Sequence, residues 1–430
     1  MDDSMPARVL AEGQADLERL WEDLVAAEGL GLETAEHRVR EGVLAIGARL
    51  LGAGIAARGA GKMGARHPCP CGGEAVCAGY RTKQVQTVVG WITVRRAYYP
   101  CPACGQGCCP LDAMLGLQRD SLSPGVRRLA CRFGGRLPFA EAAASLAEAA
   151  GAIKLSASTV RTVTEAVGAC REQTVAAAIA AAWSHGLPPL AGPPPDRLVV
   201  AMDGVRILGT DGAGREVKVG VVQPVRSTAS GQRQEPASYA AGLESAASFG
   251  QRLALEAHRR GVEGAGQIAV LGDGAEWIWH LAGEHFPPAV HIVDWFHASE
   301  RIWELGRALY GVETPATAAW VEQQLGRLAH GQAATLAHEW RALPCRGDTA
   351  TVRDAQVTYC TNQASRMAYD RYRAAGWDIG SGMVESACKH LIAAREKGAG
   401  MRWSEAGAHT VAAVRVLLAN EHGLTDDLAA

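Results

Sequence analysis

Two acidic residues lie where a metal-dependent active site would need them. Asp203 ends the apolar run RLVVAMD, Asp273 ends the run QIAVLGD, and a glycine follows each acid. Because the ends of neighbouring parallel strands form the crevice in which open α/β sheets bind ligands, we expect the two carboxylates to share a cleft. Taken alone, either Asp-Gly pair is equally typical of a turn. Two of them after apolar runs favour a site.

A third carboxylate is predicted from Glu385, in the segment GSGMVE, where a glycine-rich turn precedes a helix. Carboxylate oxygens are the ligands that Mg²⁺ and Mn²⁺ prefer. One or two such ions activate an attacking hydroxyl and stabilise the leaving oxygen in phosphoryl transfer, with paired metals about 3.5 to 4 Å apart. The three acids therefore predict metal-dependent chemistry on a phosphodiester.

A further acid, Asp294, follows the apolar run VHIVD and precedes His297 by three residues. We expect Asp294 to orient His297 or to support the rim of the same site. The alternative is a helix N-cap followed by an ordinary helical histidine. On the first interpretation both residues assist the site without being ligands.

A cysteine cluster predicts a second, structural metal site. Cys69 and Cys71 precede a predicted β-hairpin, and Cys101 and Cys104 follow it, so folding the hairpin would gather four thiolates. Four thiolates at a tetrahedral site are typical of structural zinc. The alternative is that these cysteines are buried or free, since the first pair has Cys-x-Cys spacing. Substitute ligands remain available at His67, Cys77, Cys108 and Cys109.

Basic residues cluster around the hairpin, in the following helical region and near Glu385. With a net charge of −2, the chain can bind nucleic acid only through such local patches. A charge run is equally typical of a solvated face, and the nearby zinc module and helix-turn-helix pattern favour DNA. The predicted DNA-binding residues are Arg81, Lys83, Arg95, Arg96, Arg127, Arg128, Arg161, Lys389, Arg395, Lys397 and Arg402.

Hydrophobic periodicity and breaks in composition predict a multidomain α+β protein of 430 residues. Helical repeats, the cysteine region, an Ala- and Leu-rich stretch and a proline-rich spacer at 188–195 mark the boundaries. The predicted regions are a helical region at 1–60, a zinc ribbon at 61–112, a helix-turn-helix-like domain at 113–185, a catalytic core at 196–310 and 373–420, and an α-helical insertion at 311–372.

Composition narrows the functional class. The chain is 48% hydrophobic and 20% charged, which is typical of a globular protein. Neither a signal peptide nor a stretch of about 18 consecutive apolar residues is evident, so we expect a cytoplasmic protein without a membrane partner.

The ordered motifs MDGV, LGDGAEWIW, DWFHASERIWELG, IGSGMVESACKHL and GAGMRWSEAGA resemble bacterial insertion-sequence transposases of the ISKra group, relatives of the Mutator-like DDE transposases. The similarity also includes VRRAYYPCPACGQG and covers roughly residues 65 to 415. It implies a ribonuclease-H-like catalytic fold in which a helical insertion precedes the third acid. On that pattern Asp203, Asp273 and Glu385 match the metal-binding triad, and Asp294 with His297 matches an Asp-x-x-His signature.

The resemblance implies cleavage of transposon ends by a metal-activated water and attack of the freed 3′-hydroxyl on target DNA, without a covalent enzyme intermediate. It implies double-stranded DNA as partner, a homodimer or higher oligomer, and a nucleoid-associated location in a bacterium. Two alternatives remain open: a domesticated DNA-binding protein without catalysis, and a ribonuclease-H-like nuclease without strand transfer. Residues 1–60 lie outside the resemblance.

Overall fold

The computed structural model describes residues 4–187, 192–228 and 231–420, and it has an α+β architecture with a mixed sheet. The described chain divides into two compact units, one up to residue 167 and the other from residue 168 onward. The predicted proline-rich spacer falls partly outside the description, since 188–191 are not among the described residues.

The first unit begins with a helical hairpin, α1 (Ser4–Ala26) and α2 (Leu32–Ala57). The two helices pack closely because Gly42 lacks a side chain: a Cβ there would lie 2.8 Å from Leu20. Asp16 pairs with Arg49 across the same contact.

Short antiparallel ribbons follow the helical hairpin. The longest pairs β3 with β4 through a two-residue turn, and Gly90 closes it at a φ of 129° that favours glycine. Two smaller ribbons pair β1 with β2 and β5 with β6. The strands are β1 (Arg66–Pro68), β2 (Glu74–Val76), β3 (Tyr80–Thr87), β4 (Gly90–Ala97), β5 (Tyr99–Pro100) and β6 (Gly107–Cys108).

Helices complete the first unit around a core that includes Val126, Leu146 and Val163. Ser123 caps the first long helix of this group, and Ser156 accepts the Thr159 N–H at the start of the last. The helices are α3 (Pro110–Met114), α4 (Pro124–Gly134), α5 (Phe139–Ala150) and α6 (Ala157–His185), and α6 continues into the second unit.

A mixed sheet forms the centre of the second unit. One short strand pairs only with the end of the second strand. Among the other five, the first three along the chain pair antiparallel, and the last two run parallel to the first. The main order is β10-β8-β7-β11-β12. The strands are β7 (Arg197–Leu208), β8 (Gly214–Thr228), β9 (Gly231–Gln234), β10 (Ser238–Gly242), β11 (Gln267–Gly272) and β12 (Val290–Val293).

The central parts of the three parallel strands, residues 198–202, 268–271 and 292–293, are buried and rich in valine, leucine and isoleucine, as is typical of strands covered on both faces. Helices α7 (Ala246–Arg259), α8 (Glu276–His285) and α9 (Trp295–Tyr310) alternate with the strands or follow them. The next four are α10 (Pro315–Ala329), α11 (Ala333–Arg341), α12 (Gly347–Gln363) and α13 (Tyr369–Ala374). Thr314 and Pro315 begin α10 as N-cap and first helical residue.

The chain ends its described part with a broken helix and a final helix. The broken helix comprises α14 (Gly382–Ala387), a π-helical segment (Cys388–Ala393) and α15 (Ala394–Glu396), and α16 (Glu405–Asn420) follows. Among the described residues, no helix is long and apolar enough to cross a membrane.

One expectation about local structure was wrong. Asp203 does not end its strand, because β7 continues five residues further, to Leu208. The antiparallel partner β8 extends equally far and pairs with this continuation. The parallel pairing of β7 with β11, however, stops at Ala201, so Asp203 still lies just beyond the parallel part of the sheet.

Candidate active site and metal centre

Asp203, Asp273 and Asp294 lie at the same level on three adjacent parallel strands. In the pairing of β7 with β11, Leu271 is opposite Ala201, so Asp273 falls opposite Asp203 two residues later. In the pairing of β11 with β12, Gly272 is opposite Val293, so Asp294 falls opposite Asp273 one residue later. The sheet register thus aligns the three acids in one row.

Backbone N–H groups orient the first two carboxylates. Asp203 Oδ1 accepts from the Gly204 N–H at 2.7 Å, and Asp273 Oδ1 accepts from the Ala275 N–H at 2.9 Å. Burial raises the pKa of the Asp203 carboxyl, and the charge of Asp273 raises that pKa further. The two carboxylates therefore influence each other, as expected for a pair that holds a cation.

Asp294 is fully buried and connects three parts of the site. Its Oδ1 caps α9 by accepting from the His297 N–H at 2.8 Å, and the His297 Nδ1 lies 3.1 Å from the same oxygen. Its Oδ2 accepts from the Ser381 N–H, in the loop before α14. Burial alone would raise the pKa of Asp294, but the hydrogen bonds from His297 and Ser381 lower it. Both interpretations of Asp294, the N-cap and the support for His297, thus describe contacts that it makes.

His297 lies within electrostatic reach of the row of acids. Its hydrogen bond to Asp294 raises the pKa of the imidazole, and the charges of Asp294, Asp273 and Asp203 raise it further. The side chain is half-buried at the start of α9. The acids therefore favour the protonated form of His297.

The loop before α14 is attached to this row at two points. Besides the Ser381 contact, the Trp295 N–H donates to the Ile379 carbonyl at 2.9 Å. Glu385 follows in the first turn of α14, and α14 packs against β7 and β8. The Glu385 side chain is exposed and makes no hydrogen bond or ion pair within the described residues. The predicted triad of Asp203, Asp273 and Glu385 is not gathered tightly, since among the described residues their carboxylate oxygens do not all lie within 4.8 Å of one another.

Cys388 was not predicted as part of the site. It begins the π-helical segment, is buried, and lies close enough to Asp203 to lower the pKa of that carboxyl against the effect of burial. Burial and the nearby charge of Asp203 raise the pKa of this thiol. Its position three residues after Glu385, on one helical face, was the available sequence signal. Single π-helical turns occur frequently at functional sites.

Helix α12 supports the Asp273 turn from the helical region between β12 and α14. Tyr359 donates from its hydroxyl to the Asp273 carbonyl at 2.8 Å, and Gln363 donates to the Gly274 carbonyl at 2.9 Å. Gly274 has a φ of 104°, and a Cβ there would lie 2.8 Å from Tyr359. No local sequence signal indicated these two residues, because their partners lie almost ninety positions away.

Four cysteines in the first unit form a group that could hold a metal ion such as zinc. The Sγ atoms of Cys69, Cys71, Cys101 and Cys104 lie within 4.8 Å of one another, and two of their separations are 3.7 Å. Zn–S bonds of about 2.3 Å at a tetrahedral site place sulfurs about 3.8 Å apart. All four cysteines are free of disulfides.

The backbone prepares this cysteine site. Cys69 and Cys101 each begin a turn whose returning N–H donates to the cysteine carbonyl, from Gly72 and Gly105 respectively. The Cys104 N–H lowers the pKa of the Cys101 thiol to about 7, whereas hydrogen bonding among the thiols raises the pKa of Cys69 and of Cys104. A thiol of lower pKa loses its proton more readily, which metal binding requires. The predicted substitutes His67, Cys77, Cys108 and Cys109 do not belong to this group.

The predicted DNA-binding residues divide into exposed and engaged ones. Arg127 and Arg395 are buried, which corrects their assignment to a DNA surface: Arg127 pairs with Asp120, and Arg395 lies over the Trp403 ring. Arg96, Lys83 and Arg161 have partners within the chain, respectively Asp112, the Gln118 carbonyl and Glu165. The exposed residues are Arg81 and Arg95, each over a tyrosine ring, Arg161, which also pairs with Glu165, and Arg128, Lys389, Lys397 and Arg402.

The chain matches no protein-family model, and no curated protein matches it significantly in sequence. The function must therefore be argued from the geometry above and from the sequence motifs.

Proposed function

We propose that this chain is a DDE transposase that cuts and joins DNA with divalent metal ions, on a catalytic domain of the ribonuclease-H-like fold. The observation that carries the proposal is that Asp203 and Asp273 each lie two residues beyond the last parallel pair of the adjacent strands β7 and β11, Ala201 with Leu271. The order of elements supports it as well: leaving aside the short β9, the sheet has three antiparallel strands and then two parallel ones, and the helices α10 to α13 precede the third acid.

The residues fit a Mg²⁺ or Mn²⁺ site. Asp203 and Asp273 offer hard oxygen ligands, and a bound cation would offset the burial and the smaller repulsion by Asp273 that raise the pKa of Asp203. Glu385 has no competing partner within the described residues and lies on the first turn of an anchored helix. When bound, such ions activate water and stabilise the leaving oxygen of a phosphodiester.

The residues of the chain would position the carboxylates and neutralise charge on the phosphate. Gly204 and Ala275 hold the two carboxylates in fixed orientations, and Asp294 holds the loop that carries α14. The acids raise the pKa of His297, which favours a positive charge beside them, where a scissile phosphate would lie. Positioning and charge stabilisation are what phosphoryl transfer chiefly requires of a protein.

Exposed basic residues support DNA as the substrate. Lys389, Lys397 and Arg402 follow Glu385 and are solvent-exposed in the second unit, and Arg81, Arg95 and Arg128 are exposed in the first. Each cation can neutralise one phosphate, so binding to DNA should weaken as salt rises. The cysteine group would hold zinc and stabilise the ribbon fold of its region.

The test is cleavage of DNA that contains the sequences flanking the gene, with full-length protein and Mg²⁺. Asp203→Asn and Asp273→Asn should each reduce cleavage at least about 100-fold, while far-UV circular dichroism and DNA binding stay unchanged. Asp211→Asn is the matched control, since Asp211 is an exposed acid in the turn that joins β7 and β8. Equal cleavage by all three variants would refute the assignment.

The products separate the alternatives. Joined donor and target strands would support a transposase, whereas cut but unjoined DNA would indicate a nuclease. Binding without cleavage, in wild type as well as in the variants, would indicate a non-catalytic DNA-binding protein.

A further inference from the structure

The α1–α2 hairpin has an apolar face that none of the described residues of the first unit covers. Three large side chains of α1 and three of α2 are between 38% and 69% exposed. They are Leu10, Leu17 and Trp21 of α1, with Val39, Val43 and Leu50 of α2, and we call them the apolar stripe.

The stripe is a continuous surface. At 100° per residue, the three side chains of each helix fall within about 40° of one another. Leu10, Leu17 and Leu50 line one groove of about 470 Å³ between the two helices. The stripe therefore follows both helices on one side of the hairpin.

Two other faces of the hairpin are already occupied. Leu20 of α1 meets Gly42 of α2 in the hairpin contact. On α2, Gly47 lies against Val89, and Gly52 lies against Ile92 of β4. The stripe is thus a third face, and the internal packing of the unit does not need it.

The charges of the hairpin favour a second copy turned end to end. Because Leu20 meets Gly42, residues 18–44 form the half of the hairpin near the turn, and they contain seven acids and three arginines. Residues 4–16 and 45–58, toward the open end, contain three arginines and two acids. In an antiparallel pair related by a twofold axis, each acidic half would face a weakly basic one.

The area also suits a pair of copies. Six large apolar side chains, at roughly 100 Å² each and more for Trp21, offer about 700 Å². A specific interface takes about 800 Å² from each partner, so the stripe with its polar flanks is sufficient. A lone apolar patch of this size is also larger than a soluble monomer normally exposes.

We propose that the apolar stripe is a homodimer interface, in which two hairpins pack antiparallel into a four-helix bundle. This inference is independent of the proposed chemistry, because it uses only residues before position 58. It gives a role to the part of the chain that lies outside the sequence resemblance.

The test measures the mass of the full-length protein by sedimentation equilibrium at micromolar concentration. Wild type should have twice the chain mass of 45.2 kDa. Leu17→Glu and Val43→Glu should each weaken dimerisation at least about 100-fold, because a charge would be buried without a partner. Ala15→Glu is the matched control: it adds the same charge to an exposed position on another face of α1 and should leave the dimer intact.

Folding and assembly are separable in this design. Leu17 and Val43 are exposed in the single chain, so both variants should keep the helix content and melting temperature of the diluted wild type. A monomeric wild type would overturn the proposal, and so would a Leu17→Glu protein that dimerises as tightly as wild type. Binding of the stripe to anionic lipid vesicles by a monomeric wild type would assign it to a membrane instead.

Discussion

Replacement of Asp294 tests how the site is assembled, because this one carboxylate serves two backbone donors. Its Oδ1 accepts from the His297 N–H and its Oδ2 from the Ser381 N–H. Asparagine has a single acceptor oxygen, and its NH₂ group is a donor. Asp294→Asn can therefore keep the α9 cap only by leaving the Ser381 N–H unpaired, whereas Asp294→Ala loses both contacts.

The expected magnitudes follow from these contacts. An unpaired buried N–H costs about 1 to 3 kcal/mol, and a lost N-cap costs about 1 kcal/mol. We expect a loss of about 1 to 3 kcal/mol for Asp294→Asn and about 2 to 4 kcal/mol for Asp294→Ala. Ser245→Ala is the control, since Ser245 caps α7 and its loss should cost only about 1 kcal/mol.

The assay is native-state hydrogen exchange of the peptide that spans Ile379 to Ala387, because a chain of two units need not unfold in one step. Amide exchange in this loop should accelerate in both Asp294 variants and stay unchanged in Ser245→Ala. DNA cleavage should fall together with loop protection. The reasoning fails if Asp294→Asn exchanges at the wild-type rate in this loop, or if it is no less stable than Ser245→Ala.

Three further predictions concern other parts of the chain. Burial raises the pKa of Glu396 to about 8, so the folded state retains a proton that the unfolded state releases near pH 4.5, and the stability of the wild type should fall as pH rises from 4.5 to 8. In urea unfolding, the stability advantage of Glu396→Gln over the wild type should therefore be about 2 to 3 kcal/mol larger at pH 9 than at pH 6. The same pH dependence in both proteins would refute this prediction. Zinc removal with a strong chelator should unfold the ribbons near Cys71, which would be measured as faster amide exchange there. Cys71→Ser should reproduce this effect, and Cys108→Ser should not. A wild type whose amide exchange does not respond to the chelator would contradict the zinc assignment. Tyr359→Phe removes the hydroxyl that donates to the Asp273 carbonyl and should destabilise the turn by about 1 kcal/mol and slow cleavage, whereas unchanged exchange and cleavage would show that α12 does not support the site.

The local elements could be predicted from the sequence because their signals are local. The Thr314–Pro315 helix start and the turn at Gly90 depend on residues within a few positions of one another, and both are present in the structure. Apolar runs likewise indicated β7, β11 and β12. Each of these runs ends in an aspartate, which predicted that three aspartates lie near one edge of the sheet.

The rest depends on contacts between distant segments. The equal level of Asp203 and Asp273 requires the strand register, which the sequence pattern alone does not provide. The contact of Asp294 with Ser381 joins residues 87 positions apart, so its double role was not predictable. Basic residues were the least reliable class: Arg127 and Arg395 resemble surface cations in the sequence, but each is buried beside an acid or an aromatic ring.

The π-helical segment sets the rotation between Glu385 and the residues that follow it. Arg415 of α16 donates to the carbonyls of His390 and Leu391, which anchors the segment from its far side. A wide turn accommodates one residue more than an α-helix does, and each residue of an α-helix rotates the chain by about 100°. Deleting a single residue between 388 and 393 would thus leave every acid of the triad present and yet rotate Glu385 and the carbonyls that Arg415 holds by about 100° relative to each other. The spacing between Glu385 and this anchor is therefore part of how the last acid is built into the domain.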